Sequence, residues 1–238
     1  MTMTELYVYA PPADTGIDVL YQDKDVVAVH KPSGLLTNPG RGEHLADCLL
    51  SRVQQRFPTA LLVHRLDTAT SGVVIFALRK KAESALKQQF ASRQTDKIYL
   101  ARVAGKLTQD QGIIDFPLAA DLAAPPRNKV DPQGKTAWTA YQMLQHHTDD
   151  NSTTLALWPK TGRAHQLRVH LDAIGHPILG DALYGEPQHL AGAPRLLLHA
   201  YQLGFLQPYS QQPVVVTAPV DLGLFKLTQQ PVLAFFSE

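Results

Sequence analysis

The apolar residues of this chain are broken into short runs, each closed by turn-forming residues, and that fragmentation limits what it can build. Val19-Leu20-Tyr21 and Val26-Val27-Ala28-Val29 flank the polar Asp23-Lys24-Asp25, as two strands around a tight turn do. Strand-like runs recur at 61–66, 72–78, 98–103, 137–145, 153–158, 196–205 and 214–217. Helical spacing shows at Leu45, Cys48, Leu49 and Val53, at Ala82, Ala85, Leu86 and Phe90, and at Leu167, His170, Leu171 and Ile174. The first stripe predicts Cys48 on the core face of a helix ending near Pro58. Strands outnumber helices, so the expectation is a single α+β domain over residues 17–238, a large mixed sheet with a few helices packed on it. Residues 1–16 carry Pro11, Pro12 and Gly16 without periodicity and are expected to form an N-terminal extension draped over the body. The Pro125-Pro126 pair and the polar cluster at 148–152 have strands on both sides, so neither is expected to divide the domain.

No run approaches the ~20 apolar residues of a bilayer span, so no membrane partner is expected. With 22 Lys+Arg against 21 Asp+Glu, the formal charge is +1. An anionic partner must therefore be met by a local patch. One cysteine provides neither a disulfide framework nor a cysteine-based zinc site, and no charged-then-apolar leader opens the sequence. The expected location is the cytoplasm.

Charge is uneven. Arg79, Lys80, Lys81, Lys87, Arg93, Lys97, Arg102 and Lys106 face only Glu83 and Asp96 within 79–106, the asymmetry expected of a phosphate-tracking surface. A second basic group, Arg163, His165 and Arg168, stands beside the Gly162 turn at the start of a predicted helix, where backbone N–H groups also favour anions. Asp67 follows His64-Arg65 at the end of an apolar run and opens a polar loop. Aspartate is a common turn residue, yet a carboxylate with cationic neighbours at such a rim can also act as a nucleophile or stabilise positive charge on a sugar. In Lys97-Ile98-Tyr99, strand alternation aims Lys97 and Tyr99 to one face, although tyrosine is commonly a largely buried residue. Asp172, four residues after Arg168, offers that arginine a simple helix-surface ion pair. His165 and His170 lie about 140° apart around a helix at ~100° per residue, so they cannot share a metal from one face. No metal site is expected. The G-x-x-x-x-G-K-[ST], G-x-G-x-x-G and G-x-S-x-G signatures are missing.

Taken in order, His30-Lys31-Pro32-Ser33-Gly34-Leu35, His64-Arg65-Leu66-Asp67-Thr68-Ala69-Thr70-Ser71-Gly72, Lys97-Ile98-Tyr99-Leu100-Ala101, Thr161-Gly162-Arg163-Ala164-His165-Gln166-Leu167-Arg168-Val169-His170, Gly175-His176-Pro177-Ile178-Leu179-Gly180-Asp181 and Arg195-Leu196-Leu197-Leu198-His199-Ala200 resemble the RluA-type RNA pseudouridine synthases. The likeness runs from about Leu20 to about Ala218. It implies a pseudouridine synthase domain with a mostly antiparallel sheet around a central cleft. Asp67 is then the catalytic aspartate, Tyr99 the ring that stacks on the target uracil, and Arg168 the partner of Asp67. Arg65 enters the RNA where the flipped nucleotide leaves. His64, Lys31, Arg79, Lys80, Lys97, Arg163, His165 and Gln166 are the further expected RNA contacts. The reaction needs no cofactor. Because few residues precede the domain, it is expected to grip RNA by itself, as a monomer without an obligatory protein partner. The resemblance is greatest to the compact branch acting on large-subunit rRNA, of the 23S type, and on tRNA anticodon stem-loops. A non-catalytic RNA-binding or RNA-folding protein on the same scaffold, and a nucleoside or glycoside hydrolase, are the competing readings.

Overall fold

The computed structural model describes residues 9–236. Along the chain it forms β1 (Asp18–Gln22), β2 (Val26–Lys31), α1 (Leu49–Arg56), β3 (Leu61–Leu62), β4 (Ser71–Ala77), α2 (Lys80–Ala91), β5 (Asp96–Ala104), β6 (Gln111–Ile114), β7 (Leu118–Ala120), β8 (Asn128–Val130), β9 (Thr139–His147), β10 (Ser152–Pro159), α3 (Gln166–Ala173), α4 (Pro187–Ala191), β11 (Leu198–Leu206) and β12 (Pro213–Thr217). Ten strands share one sheet in the order β1-β2-β4-β11-β5-β10-β9-β6, with β12 beside β11 and β3 beside β4. Among the described residues, only β4 with β11 is parallel. The expected α+β architecture with a mixed, mostly antiparallel sheet is what the chain adopts. β7 and β8 stand apart as a hairpin. No helix among the described residues is long and apolar enough to cross a membrane.

The two-residue period of a strand explains why both faces of the sheet are covered. Val26, Ala28, Val73 and Ile75 point to one side and pack with Ala82 and Leu86 of α2. Val27, Val29, Val74 and Phe76 point to the other and meet Leu49 and Val53 of α1. Strands β4 and β10 are buried along their whole lengths, so neither alternates polar with apolar residues, although β10 opens on the buried Ser152-Thr153-Thr154.

Two local readings are corrected. Cys48 is buried, but it caps α1 from outside: its Sγ accepts the Ser51 N–H at 3.4 Å and the helix begins at Leu49. The run at 61–66 is a strand only over Leu61–Leu62. Beyond it, side chains take over the backbone's hydrogen bonds. The Thr37 hydroxyl accepts from Leu66 N at 3.2 Å and donates to Leu66 O at 2.8 Å, while His64 Nε2 accepts from Ile75 N at 3.0 Å. Strands β6, β7 and β8 and helix α4 are too short for periodicity to mark them. Of the expected extension, residues 1–8 lie outside the described residues. Tyr9 donates from its hydroxyl to Asp47 O, and Pro12 O accepts from Arg52.

Candidate active site

The His30–Leu35 block fastens the loop that carries Asp67. Lys31 is fully buried, and its Nζ donates to the carbonyls of Pro32, Leu35 and Thr68 at 2.9, 2.6 and 2.9 Å. Ser33 Oγ donates to Ala69 O at 2.6 Å and Gly34 N to Thr68 O at 2.8 Å. Lys31 is therefore not an RNA contact, because its three ammonium hydrogens are spent inside the protein. Burial pushes its pKa down to about 7. Directly after the loop, Gly72 sits at φ +119° where β4 meets β11, and a Cβ there would lie 2.2 Å from Ala200 O. Only glycine fits that crossing.

Helix α3 supplies the opposing wall. Gln166 is buried: its Oε1 accepts from Thr161 Oγ1 and Arg163 N, and its Nε2 donates to Trp138 O and Thr139 Oγ1. It too is corrected from RNA contact to internal brace. Arg168 is buried rather than part of a basic surface. Its Nε and one terminal nitrogen make a bidentate pair with Asp181 at 2.8 and 2.6 Å, and the other reaches Asp67 Oδ2 at 3.5 Å. The Asp181 hydrogen bonds outweigh the cost of burial and raise the pKa of the guanidinium. Asp172 is not its partner. Asp181 closes the Gly175–Asp181 block, and nothing in its local sequence signals a role thirteen residues away.

His165 precedes α3 at φ +54°, a strained setting for a non-glycine residue. Its Nδ1 lies 2.8 Å from Tyr184 Oη, which also accepts the Asn128 backbone N–H at 2.8 Å. The Tyr184 hydroxyl thereby ties the His165 ring to the Asn128 backbone. Nε2 faces Asp67 Oδ2 at 3.9 Å. Tyr184 in turn carries two guanidinium groups against its ring, Arg127 and Arg168, each 5.1 Å from the ring centre. Sequence reasoning missed Tyr184, whose position gives no local sign of this contact.

Beside these groups lies a cavity of about 320 Å³ to which the Asp67 loop, α2, β5, the end of β10, α3 and the start of β11 contribute. Asp67, Tyr99, Arg168, Arg65, His64, Lys97, Arg163, His165 and Gln166 all border it. The Asp67 side chain is 28% exposed, at the rim. Tyr99 is part-buried, between its partners Leu157 on β10 and Ala200 on β11. As alternation predicts, it shares a face with Lys97 while Ile98 is buried.

A model of the family described as RNA pseudouridylate synthase matches residues 25–173. The chain belongs to that family. This pseudouridine synthase is 53% identical over 197 residues to the dual-specificity RNA pseudouridine synthase RluA of Yersinia pestis, a match covering 82% of this chain and 95% of that one. It is 46% identical over 214 residues to the protein of the same name from Escherichia coli strain K12, covering 90% and 97%. Among solved structures, human RNA pseudouridylate synthase domain containing 1 superposes with a TM-score of 0.75 at 30% identity, over 92% of this chain and 89% of that one. The enzyme is a pseudouridine synthase of the RluA type, an isomerase that acts on RNA. Nothing in these likenesses favours the non-catalytic reading.

Electrostatics divide the cavity lining. Burial pushes the synthase's His64 down to about 3, so its ring is neutral, stacked on Phe90 with ring centres 4.5 Å apart. Burial, with Arg168 and Arg65 adding to it, also lowers His165. Burial and the Asp67 charge raise Tyr99, which keeps its phenol protonated. Lys97 is lowered to about 8 by burial and by Arg93. The expected phosphate-tracking surface at 79–106 is partly consumed within the protein. Arg79 pairs with Asp25, Lys80 and Lys87 grip Glu83, and buried Arg102 binds Asp150. Arg79 and Lys80 do not border the cavity, since Lys80 starts α2 and Phe90, near its end, is what reaches it. Among the described residues, no group of three or more His, Cys, Asp or Glu is placed to hold a metal.

Proposed function

We propose that this synthase converts uridines to pseudouridine in large-subunit rRNA and in tRNA anticodon stem-loops, with Asp67 as catalytic residue, Tyr99 as the ring beneath the uracil and Arg168 as the partner of Asp67. The observation that carries the reading is the position of Asp67: a carboxylate at the rim of one cavity, 3.5 Å from Arg168 and 3.9 Å from His165, with Tyr99 in the same wall. The dual specificity in the names of its relatives supports two classes of RNA.

The isomerisation breaks the N1–C1′ bond, turns the base and joins C5 to C1′, with the C5 hydrogen released to solvent and N1 left protonated. A stacked uridine hides those atoms, so the nucleotide has to be flipped out, at a cost of a few kcal/mol that stacking on Tyr99 offsets in part. Hairpin loops lower that cost. Asp67 either attacks C1′ or assists loss of a sugar proton, while the cationic frame stabilises the charge that develops. Exclusion of water protects the detached base or a sugar ester from hydrolysis. Arg65, exposed at the cavity mouth, fills the gap left in the RNA. Lys97, Arg163 and His165 bind the strand around it, and Arg79 and Lys80 extend the path along α2. Residues 17–238 form the catalytic domain and 1–16 its extension, and the protein works as a cytoplasmic monomer.

Asp67→Asn is expected to fold, to bind RNA nearly as well as the parent, and to release no tritium from RNA labelled at uridine C5. Turnover by the purified variant overturns the assignment. Release of free uracil by the parent would point to a hydrolase instead.

A further inference from the structure

A second cavity, of about 300 Å³, lies beside the first, and Lys97 and Pro159 line both. Its chemistry differs from that of an ordinary surface cleft. One wall is aromatic: Trp158 and Phe236 lie 6.2 Å apart, and the Phe236 ring, 40% exposed, rests against Trp138 at 5.5 Å. The other side is cationic, with Arg93 and Lys97 against Asp96.

Arg93 is the informative member. It ends α2 at φ +60°, where Gln94 N bonds back to Gln89 O at 2.8 Å and Arg93 N to Phe90 O at 3.3 Å. That helix ending usually takes glycine, since any Cβ is strained there. The guanidinium makes no hydrogen bond or ion pair among the described residues, so no contact within them recovers the strain. Lys97 has no carboxylate within ion-pair distance among them either. Between the two, Thr95 Oγ1 is buried without a hydrogen-bond partner among the described residues. Cations beside an exposed ring are the means by which single-stranded nucleic acid is held without reading its sequence.

We propose that this cavity is a subsite for the nucleotide adjoining the target uridine, with its base on Phe236 and its phosphate between Arg93 and Lys97. The inference rests on a uridine occupying the first cavity, and it commits the enzyme to gripping at least one neighbour outside the stem. The shared Lys97 makes the two sites contiguous, as consecutive nucleotides require.

The test is binding of uridine 5′-monophosphate, the dinucleotide UpU and tetrauridylate to the full chain. The parent should gain about tenfold in affinity from monomer to tetramer, the scale of one stacked base. In Arg93→Gly and in Phe236→Ala the gain should shrink to about threefold or less, and in both together it should vanish. Arg93→Gly relieves the backbone strain and should unfold no more easily than the parent. Lost affinity with intact stability is what a merely structural arginine would not produce. Arg93→Lys should keep most of the gain. No gain in the parent, or an equal gain in the double variant, overturns the subsite. Tritium release from labelled total RNA is measured alongside. Release with an unchanged gain sinks the subsite alone, whereas a parent that releases none sinks the uridine reading beneath it.

Discussion

A guanidinium taken out of water needs close acidic partners, and Arg168 has Asp181 on two nitrogens and Asp67 on the third. Removing Asp181 leaves that charge buried without its main partner, which typically costs about 3–5 kcal/mol. Asp181→Ala should therefore lower stability by roughly that amount in urea unfolding at neutral pH, and turnover should fall with it because Arg168 is no longer held against Asp67. A stability change below about 1 kcal/mol would mean the pair is not what positions Arg168. Tyr184→Phe makes a finer cut. It keeps the ring against Arg127 and Arg168 but removes the hydroxyl that meets His165 Nδ1 at 2.8 Å. The expected result is a kcat about tenfold lower with a smaller change in KM, since the hydroxyl orients His165 beside Asp67 and itself lies outside the cavity lining. A rise in KM alone would assign Tyr184 to binding.

At the scale of elements, the site depends on where backbones cross. β4 and β11 run parallel and touch through His199 with Ser71 and Ala200 with Gly72. That junction fixes Gly72, five residues after Asp67, against the strand beside Tyr99. Gly72→Ala would drive a Cβ to 2.2 Å from a backbone oxygen that cannot swing aside as a side chain could, at a φ that also penalises L residues. Loss of folded protein, or a melting midpoint lowered by several degrees together with lost activity, is the expected outcome. An alanine variant of parental stability would show that the crossing has slack. The same elements show why some of the site was legible and some was not. Asp67 and Tyr99 border one cavity as the sequence motifs imply. The sequence also placed Lys97 and Tyr99 on one strand face correctly, because alternation is a local rule. Lys31, at the end of β2, and Gln166, at the start of α3, were misjudged because a polar side chain at the end of an element looks the same in sequence whether it faces RNA or braces a neighbouring segment.

For the whole molecule, charge at the cavity is set by burial as much as by composition. Lys97 has a pKa of about 8 against its ordinary 10.5. RNA phosphates favour its charged form, so affinity should be greatest below pH 8 and fall as the pH rises through about 8. Stability should move the other way. The unfolded chain holds the Lys97 proton up to its ordinary pKa, so between about pH 8 and 10.5 it binds more protons than the folded chain, and this group's contribution rises with pH. Lys97→Arg should flatten the affinity profile. An equally steep fall in the variant would place the titrating group elsewhere.

By itself the sequence determined the chemistry on offer and the layering that carries it: a carboxylate at 67, a ring at 99, a guanidinium at 168, and apolar periods that build a sheet covered on both faces. Those are local properties, written in residue type and spacing. Which polar groups face the cavity was decided only by tertiary structure. One of the three partners of Lys31 lies 37 residues along the chain, that of Arg168 in the Asp67 loop 101 residues away, and the Asn128 backbone that orients Tyr184 belongs to a separate hairpin. A hydrogen bond has a strict reach and direction, so these roles exist only once distant segments have been brought within about 3 Å of one another.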